Sequence, residues 1–316
     1  MLLETRLTFL RYLKQFNHSY NAQKMLVKDL REKFKNQILS NGVLLPGAYN
    51  ALTAMQIEQT GFEGAYISGA ALSASAGLPD IGLLTLSEFS FFIKYITQAV
   101  KIPCIADCDT GFGDVINVSR TVKEMESIGL CGIHIEDQMM PKRCGHLEGK
   151  KLVSSNEMIQ KIKAACISRE DNNFLIIART DARSVRGIDE AIERANLYIE
   201  AGADAIFPEA LKSKEEFELF AQKVDAPLLA NMTEFGVSPL FNDEELFSMG
   251  YKIIIYPVTA LRVTMKHTQL LFEKIKKNGS QLEYLSKMQT RNELYDLLKY
   301  DSYADLDSKV ANYKIK

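Results

Sequence analysis

One unit recurs along this chain and limits what it can become. A helix-like stretch stops at a glycine, two residues follow, and a short apolar run begins. The unit stands at Gly61-Phe62-Glu63-Gly64-Ala65-Tyr66, at Gly129-Leu130-Cys131-Gly132-Ile133-His134 and at Gly202-Ala203-Asp204-Ala205-Ile206-Phe207, with Gly250-Tyr251-Lys252-Ile253 as a fourth copy. Glycine suits the stop because helices often close on a left-handed residue, a conformation that costs glycine nothing. Eight runs qualify as buried strands, at 42–45, 65–68, 104–107, 132–136, 175–180, 205–207, 227–231 and 253–256. They are apolar on both faces, as parallel strands covered by helices should be. Amphipathic windows lie between them at 86–100, 117–128, 156–167, 188–200 and 214–223. Eight alternations of strand and helix predict an α/β fold, a closed (β/α)8 TIM barrel. An open doubly wound sheet is the runner-up, but no Gly-x-Gly-x-x-Gly follows the first strand.

After the eighth strand the pattern predicts a long helix over about 259–277, a turn at Asn278-Gly279, and a helical tail that includes 288–298. With no linker in sight, residues 25–316 read as a single domain. Residues 1–24 read as an extension of open status. Arg6, Arg11, Lys14 and Lys24 face Glu4 there, among scattered leucines. A frayed amphipathic helix, a start at Met25 and an organelle transit sequence all remain open, and a secretory signal is not indicated.

Charge excludes some partners. A net charge of -2 from 38 basic and 40 acidic residues suggests neither nucleic acid nor an anionic membrane. The longest apolar runs are too short to span a bilayer. Five cysteines without a CxxC pair point to reduced thiols, hence to a cytoplasmic chain, or one of the mitochondrial matrix if the extension is a transit sequence.

Polar residues gather where the predicted strands end. Ser68 and Gly69 close the second, Asp107 and Asp109 the third, Glu136 and Asp137 the fourth, and Arg179 and Asp181 the fifth. Glu209 follows the sixth, and Asn231 and Thr233 the seventh. Barrel enzymes build their sites at this face, because the loops after the strands converge there. Two carboxylates two residues apart in an extended chain aim the same way. Asp107 and Asp109, with Glu136 from the next strand, therefore form a hard oxygen site suited to Mg²⁺, held partly through water. Arg179, Arg262 and Arg291 are candidate carboxylate clamps. Asn231-Met232-Thr233 adds neutral donors.

The stretch after the fourth strand, Asp137-Gln138-Met139-Met140-Pro141-Lys142-Arg143-Cys144-Gly145-His146-Leu147, is long and polar and reads as a lid. Cys144 sits beside Lys142, Arg143 and His146, neighbours that should lower a thiol's pKa. Cys104, Cys108, Cys131 and Cys166 read as inert scaffold thiols. His134 reads as a structural histidine.

Lys142-Arg143-Cys144-Gly145-His146 resembles the signature of the isocitrate lyase family. Asp107-Cys108-Asp109-Thr110-Gly111-Phe112-Gly113 resembles the metal segment of the wider isocitrate lyase and phosphoenolpyruvate mutase superfamily. The similarity runs from about residue 45 to 300 through Ile135-Glu136-Asp137-Gln138, Ala178-Arg179-Thr180-Asp181, Phe207-Pro208-Glu209-Ala210, Asn231-Met232-Thr233-Glu234 and Met288-Gln289-Thr290-Arg291. It is closest to the methylisocitrate lyase branch, since the chain has no room for the isocitrate lyase insertion. It also carries Phe207 where those enzymes have Trp. The family's Ser-Gly-Gly reads Ser68-Gly69-Ala70 here, which is acceptable if residue 70 keeps φ negative.

The resemblance implies a Mg²⁺-dependent lyase, with Mn²⁺ as a substitute, acting on a small tricarboxylate. Cleavage of 2-methylisocitrate to pyruvate and succinate is the first expectation. Isocitrate or 2,3-dimethylmalate is the alternative substrate, and a non-catalytic binding barrel or a phosphonate hydrolase the alternative of another class. It implies Cys144 as proton donor, with His146, Lys142 and Arg143 around it. The base is left open between Tyr66 and a metal-bound hydroxide. Ser68, Gly69, Ala70, Gly145, Glu209 and Met232 join the substrate-binding set. It implies, last, a swapped final helix in a homotetramer.

Overall fold

The computed structural model describes residues 26–312. The reading of residues 1–24 lies outside the described part. The eight strands are β1 (Val43–Pro46), β2 (Ala65–Ile67), β3 (Cys104–Asp107), β4 (Gly132–Glu136), β5 (Leu175–Thr180), β6 (Ala205–Pro208), β7 (Leu228–Asn231) and β8 (Tyr251–Tyr256). All pair in parallel, in the order β1-β8-β7-β6-β5-β4-β3-β2. The ring closes where Gly47 bridges Tyr66, with the Ala48 N–H donating to the Tyr66 carbonyl at 2.8 Å. The eightfold expectation is met, as a (β/α)8 barrel.

The intervening helices are α2 (Ala51–Thr60), α3 (Gly69–Ser75), α4 (Leu86–Ala99), α5 (Val115–Ser127), α6 (Ser155–Ser168), α7 (Ala182–Arg186), α8 (Ile188–Glu200), α9 (Lys214–Lys223) and α10 (Asp243–Ser248). Local chemistry sets their ends. Thr85 with Glu88, and Ser154 with Glu157, form capping boxes that satisfy the first-turn N–H groups of α4 and α6. Gly61 stops α2 in the left-handed region at φ 90°. The fourth glycine unit departs from the pattern. β8 begins directly after Gly250, where Tyr251 pairs with Leu228, and a bulge between Leu228 and Leu229 leaves Lys252 without a partner on β7.

The core has two layers. Val43, Leu45, Ile105, Leu175, Ile177, Leu229, Ile253 and Ile255 fill the barrel, while alternate residues such as Ala106, Ile133, Ile176 and Ile254 pack outward on the helices. An N-terminal helix, α1 (26–40), plugs the bottom of the barrel with Phe34 and Ile38. Arg31 fixes this plug. Its Nε donates to the Leu130 carbonyl at 2.8 Å and its Nη2 to the Glu126 carbonyl at 2.7 Å, and its Nη1 lies 3.4 Å from both Glu126 and Asp171.

Beyond the barrel run α11 (Thr259–Asn278), a 3₁₀ turn (Leu282–Lys287), α12 (Arg291–Leu297) and α13 (Tyr300–Ala311). Neither α11 nor α13 buries a residue. Among the described residues no helix is long and apolar enough to cross a membrane.

Candidate active site

Asp107 ends β3 and is buried, and the Gly69 N–H points at its Oδ2 from 3.3 Å. A Cβ on Gly69 would lie 2.9 Å from that oxygen, so the approach needs glycine. Ser68 caps α3, and Ala70 stands in its first turn at negative φ, which meets the condition set by its missing glycine. Asp109 lies beyond the strand, in the left-handed region at φ 46°. Its own N–H donates to Asp107 Oδ1 at 2.9 Å. The two carboxylates are therefore brought together by a strained turn, and strand alternation is not the cause. Phe112, Ala210 and Phe235 also have positive φ, and all stand in loops after strands. Strain of this kind gathers at functional mouths.

Glu136 ends β4, fully buried, with Arg179 Nε 3.3 Å from its Oε2. Arg179 grips Asp181 at 3.0 and 3.2 Å, and its Nη1 lies 3.8 Å from Glu209. The guanidinium stands 5.0 Å from the centroid of Phe207, whose ring meets His134 edge-on at 5.2 Å. His134 Nε2 lies 2.7 Å from the Tyr66 hydroxyl and 3.7 Å from Asp107. Burial pushes His134 down to about 4, so it is neutral. Its Nδ1 has no described partner, so the reading of His134 as a satisfied structural histidine holds only on the Tyr66 side. Burial, helped by Asp107, pushes the Tyr66 phenol well up.

The stretch after β4 is a hairpin. Gln138 bridges Leu152, the Met139 N–H donates to the Lys151 carbonyl at 2.8 Å, and the Val153 N–H to the Asp137 carbonyl at 3.0 Å. The Gln138 amide staples Arg143 through both its N–H and its carbonyl at 2.9 Å. The tip folds inward. Lys142 Nζ sits 2.7 Å from Asp109 Oδ1 and pairs with Asp80. His146 Nε2 lies 2.9 Å from Glu209 Oε1, and Asn231 Nδ2 donates to the other Glu209 oxygen at 3.3 Å. Burial opposes ionisation of Glu209, but Arg179 and His146 outweigh it and hold the carboxyl below its usual value.

A model of the phosphoenolpyruvate phosphomutase family matches residues 34–276. The chain belongs to that family. It is 52% identical to a 2-methylisocitrate lyase of Aeropyrum pernix, over 85% of this chain and 87% of the relative. It is 48% identical to a 2-methylisocitrate lyase of Halalkalibacterium halodurans, over 90% and 94%. Among solved structures it resembles a 2,3-dimethylmalate lyase described as a member of the PEP mutase/isocitrate lyase superfamily. That match has a TM-score of 0.84 and 33% identity, over 90% of this chain and 95% of the other.

Within this phosphomutase-family barrel not every expected residue reaches the mouth. The Arg143 side chain turns out to solvent and donates to the Glu148 carbonyl at 3.1 Å. Met232 packs in the outer core, where its sulfur accepts the Phe241 N–H at 3.4 Å. Thr233 beside it is buried. Arg262, half exposed on α11, is occupied by Glu234 and the Phe235 ring. Arg291 stands exposed at the start of α12. The Cys144 thiol also departs from expectation. Burial, with Asp80 and Glu209, raises its pKa, and only the His146 N–H and Arg179 oppose this. The sequence neighbours fail to lower it because Lys142 is consumed by carboxylates and Arg143 faces away. The four other thiols fit an inert role: Cys104, Cys108 and Cys131 are buried, and Cys166 hydrogen-bonds the Gly202 carbonyl at 3.1 Å.

The acidic set fits a divalent cation. Asp109 Oδ1, Glu136 Oε1 and Glu209 Oε1 are buried without a hydrogen-bond partner among the described residues. Burial and Asp107 push Asp109 up to about 6, and burial pushes Glu136 well up. Lys142 already stands against Asp109, and Arg179 against Glu136 and Glu209, so this buried acidic set draws positive charge to the mouth. Among the described residues no three such side chains are placed to hold a metal ion directly.

Sequence reasoning missed Asp80, Lys150 and Gly236. Asp80 lies in the loop after α3 and pairs with Lys142 across 62 residues. No strand end marks any of the three.

Proposed function

We propose that this chain cleaves 2-methylisocitrate to pyruvate and succinate. The observation that carries this is the inward fold of the segment bearing Cys144, which sets His146 2.9 Å from Glu209 and Lys142 2.7 Å from Asp109. The 2-methylisocitrate lyases at 52% and 48% identity support the same substrate. Asp107, Asp109 and Glu136 would hold Mg²⁺, with Mn²⁺ able to replace it, largely through water. The ion supplies Lewis-acid polarisation of the substrate's hydroxyl and adjoining carboxylate.

The chain's own groups do the rest. The hydroxyl proton passes to a base, Tyr66 or a hydroxide drawn from water at the site, as the bond between the methyl-bearing hydroxyl carbon and its neighbour breaks and that bond's electron pair passes to the succinate half. Arg179 and the N–H groups of His146 and Asn231 face the charge that develops there. Cys144, still protonated, gives its proton to that carbon and is left as a thiolate, which solvent then reprotonates. Ser68, Gly69 and Ala70 line the other wall, and the buried Phe207 forms the floor beneath Arg179. The hairpin from 138 to 153 excludes water over the site.

We assign residues 25–316 to one domain, placed in the cytoplasm. The C-terminal arm is the seam of a homotetramer with swapped final helices. Exposed Met265 and Phe272 stand two turns apart on one face of α11, and Leu282 and Leu285 are exposed in the turn that follows, apolar surface of the kind that seeks a partner. Swapping would bring Arg291 to a neighbouring mouth. Comparison of kcat/KM for 2-methylisocitrate, isocitrate and 2,3-dimethylmalate tests the assignment. Preference for either of the latter two overturns it.

A further inference from the structure

Lys150 carries a buried charge that the cleavage reaction leaves unused. It stands on the return arm of the hairpin, beside the ladder at 151–153. Its side chain is 1% exposed, and that of Asp181, its partner, 0%. Nζ donates to Asp181 Oδ1 at 2.8 Å and also to the carbonyl oxygen of Gly145. Taking an ammonium out of water is costly unless it is paired and fully hydrogen-bonded. Balancing Asp181 does not by itself account for the placement, because Arg179 already grips both Asp181 oxygens. The second donor aims at the backbone between Cys144 and His146.

Gly145 is confined on its other side as well. A Cβ there would lie 2.5 Å from Arg179 Nη2 and 2.5 Å from Glu209 Cγ. The glycine is thus wedged between Lys150 at its carbonyl and the Arg179–Glu209 pair at its α-carbon. Asp181 is itself anchored. Its N–H donates to Asp137 Oδ1 at 2.9 Å, and Asp137 Oδ2 accepts from Thr180 Oγ1 at 2.8 Å, Tyr198 at 2.8 Å and Arg194 at 3.2 Å. A continuous line of buried bonds therefore runs from α8 on the outside of the barrel to the reacting segment.

We infer that Lys150 is the positioning residue that seats the lid: its bridge from Asp181 to the Gly145 carbonyl sets Cys144 and His146 in register with Arg179 and Glu209. Lys150 touches neither substrate nor reacting atoms and acts through Gly145. By sharing Asp181 it also leaves more of the Arg179 charge for an incoming carboxylate. The inference deepens the cleavage reading and rests on it for the identity of the reacting groups.

The test uses the full chain with Lys150→Met and with the charge-balanced double variant Lys150→Met/Asp181→Asn. Carbamidomethylation of Cys144 by iodoacetamide is followed by peptide mass without substrate, beside kcat, KM and the thermal midpoint. Both variants should label Cys144 about tenfold faster than the parent, as a segment that opens more often does. Turnover should fall about a hundredfold, the cost of a displacement of about 1 Å. The single variant should also lose thermal stability, which the double should largely regain. Labelling of the double variant at the parent rate overturns the inference, as does fast labelling with parental turnover. Labelling needs no substrate, so a failure of the proposed reaction would be seen separately.

Discussion

His146 Nε2 lies 2.9 Å from Glu209 Oε1 while its Nδ1 accepts the Val237 N–H at 3.1 Å. The second contact assigns the tautomer: with Nδ1 accepting, the ring N–H is on Nε2 and faces Glu209. His146 therefore turns an N–H toward the site. The loop after β7 reaches His146 across 91 residues.

That loop leaves no room for a side chain. A Cβ on Gly236 would stand 2.7 Å from His146 Nδ1 and 2.8 Å from its Cε1. Gly236→Ala should push the imidazole off Glu209 and lower kcat by about tenfold, the scale of a modest misplacement. Gly236 has negative φ and lies on a partly exposed loop, so the thermal midpoint should hardly move. Steady-state kinetics with a thermal melt check this, and parental kcat would remove the loop from the mechanism.

Cys144 should act as an acid, and its pH behaviour follows from the direction of its shift. The thiol is raised, so it keeps its proton through neutrality and loses it only above the ordinary thiol value of about 8.5. The donor is present below its pKa and lost as pH rises through it. A profile of kcat/KM should thus show an alkaline limb above that value, and a limb below it would contradict the burial argument. Cys144→Ser should reduce kcat about a thousandfold or more while pyruvate still binds.

The barrel was legible because eight buried strands and their glycine stops are local signals, written within a few residues each. So were Asp107, Glu136, Arg179 and Glu209, which stand at strand ends. What stayed hidden depends on folding back. Asp80 and Lys142 meet across 62 residues, and Lys150 and Asp181 across 31. Arg143 looked equivalent to Lys142 in sequence, but neighbours along the turn point to opposite sides. The nearness of Asp107 and Asp109 was foreseen for the wrong reason, since the left-handed turn at Asp109 and not strand alternation sets it.

Metal removal should separate folding from chemistry. Treatment with EDTA should abolish turnover, and Mg²⁺ or Mn²⁺ should restore it. Saturating Mg²⁺ should also raise the thermal midpoint, because an ion that binds only the folded chain at a hundred times its Kd adds about 2.7 kcal/mol. A melt with and without Mg²⁺ gives this readout without substrate. Full activity in the chelated protein would end the metal reading.

The opposite end of the barrel should govern stability alone. Arg31→Met removes the only cation described against Glu126 and Asp171 and leaves two carboxylates buried beneath α1. Breaking a buried pair by removing one partner costs about 3–5 kcal/mol. Urea unfolding should show a loss of that size. The kcat of the folded fraction should stay at the parental value, because the residues of the mouth are untouched. A fall in kcat without a fall in stability would mean that the plug reaches the site.

The substrate's methyl group is the last quantity the site must account for. Phe207 is buried, with Arg179 above its ring and His134 against its edge. Phe207→Trp must press a larger ring against these neighbours and toward the substrate. Overpacking of this kind costs about 1–3 kcal/mol of stability. The same intrusion should take the space of one methyl, which in an apolar pocket is worth about 10–200-fold in discrimination. The variant should therefore lose kcat/KM for 2-methylisocitrate by more than it loses for isocitrate, and the ratio of the two should shift by at least about tenfold. Equal losses on both substrates would show that the floor beneath Arg179 supports the fold without reading the methyl.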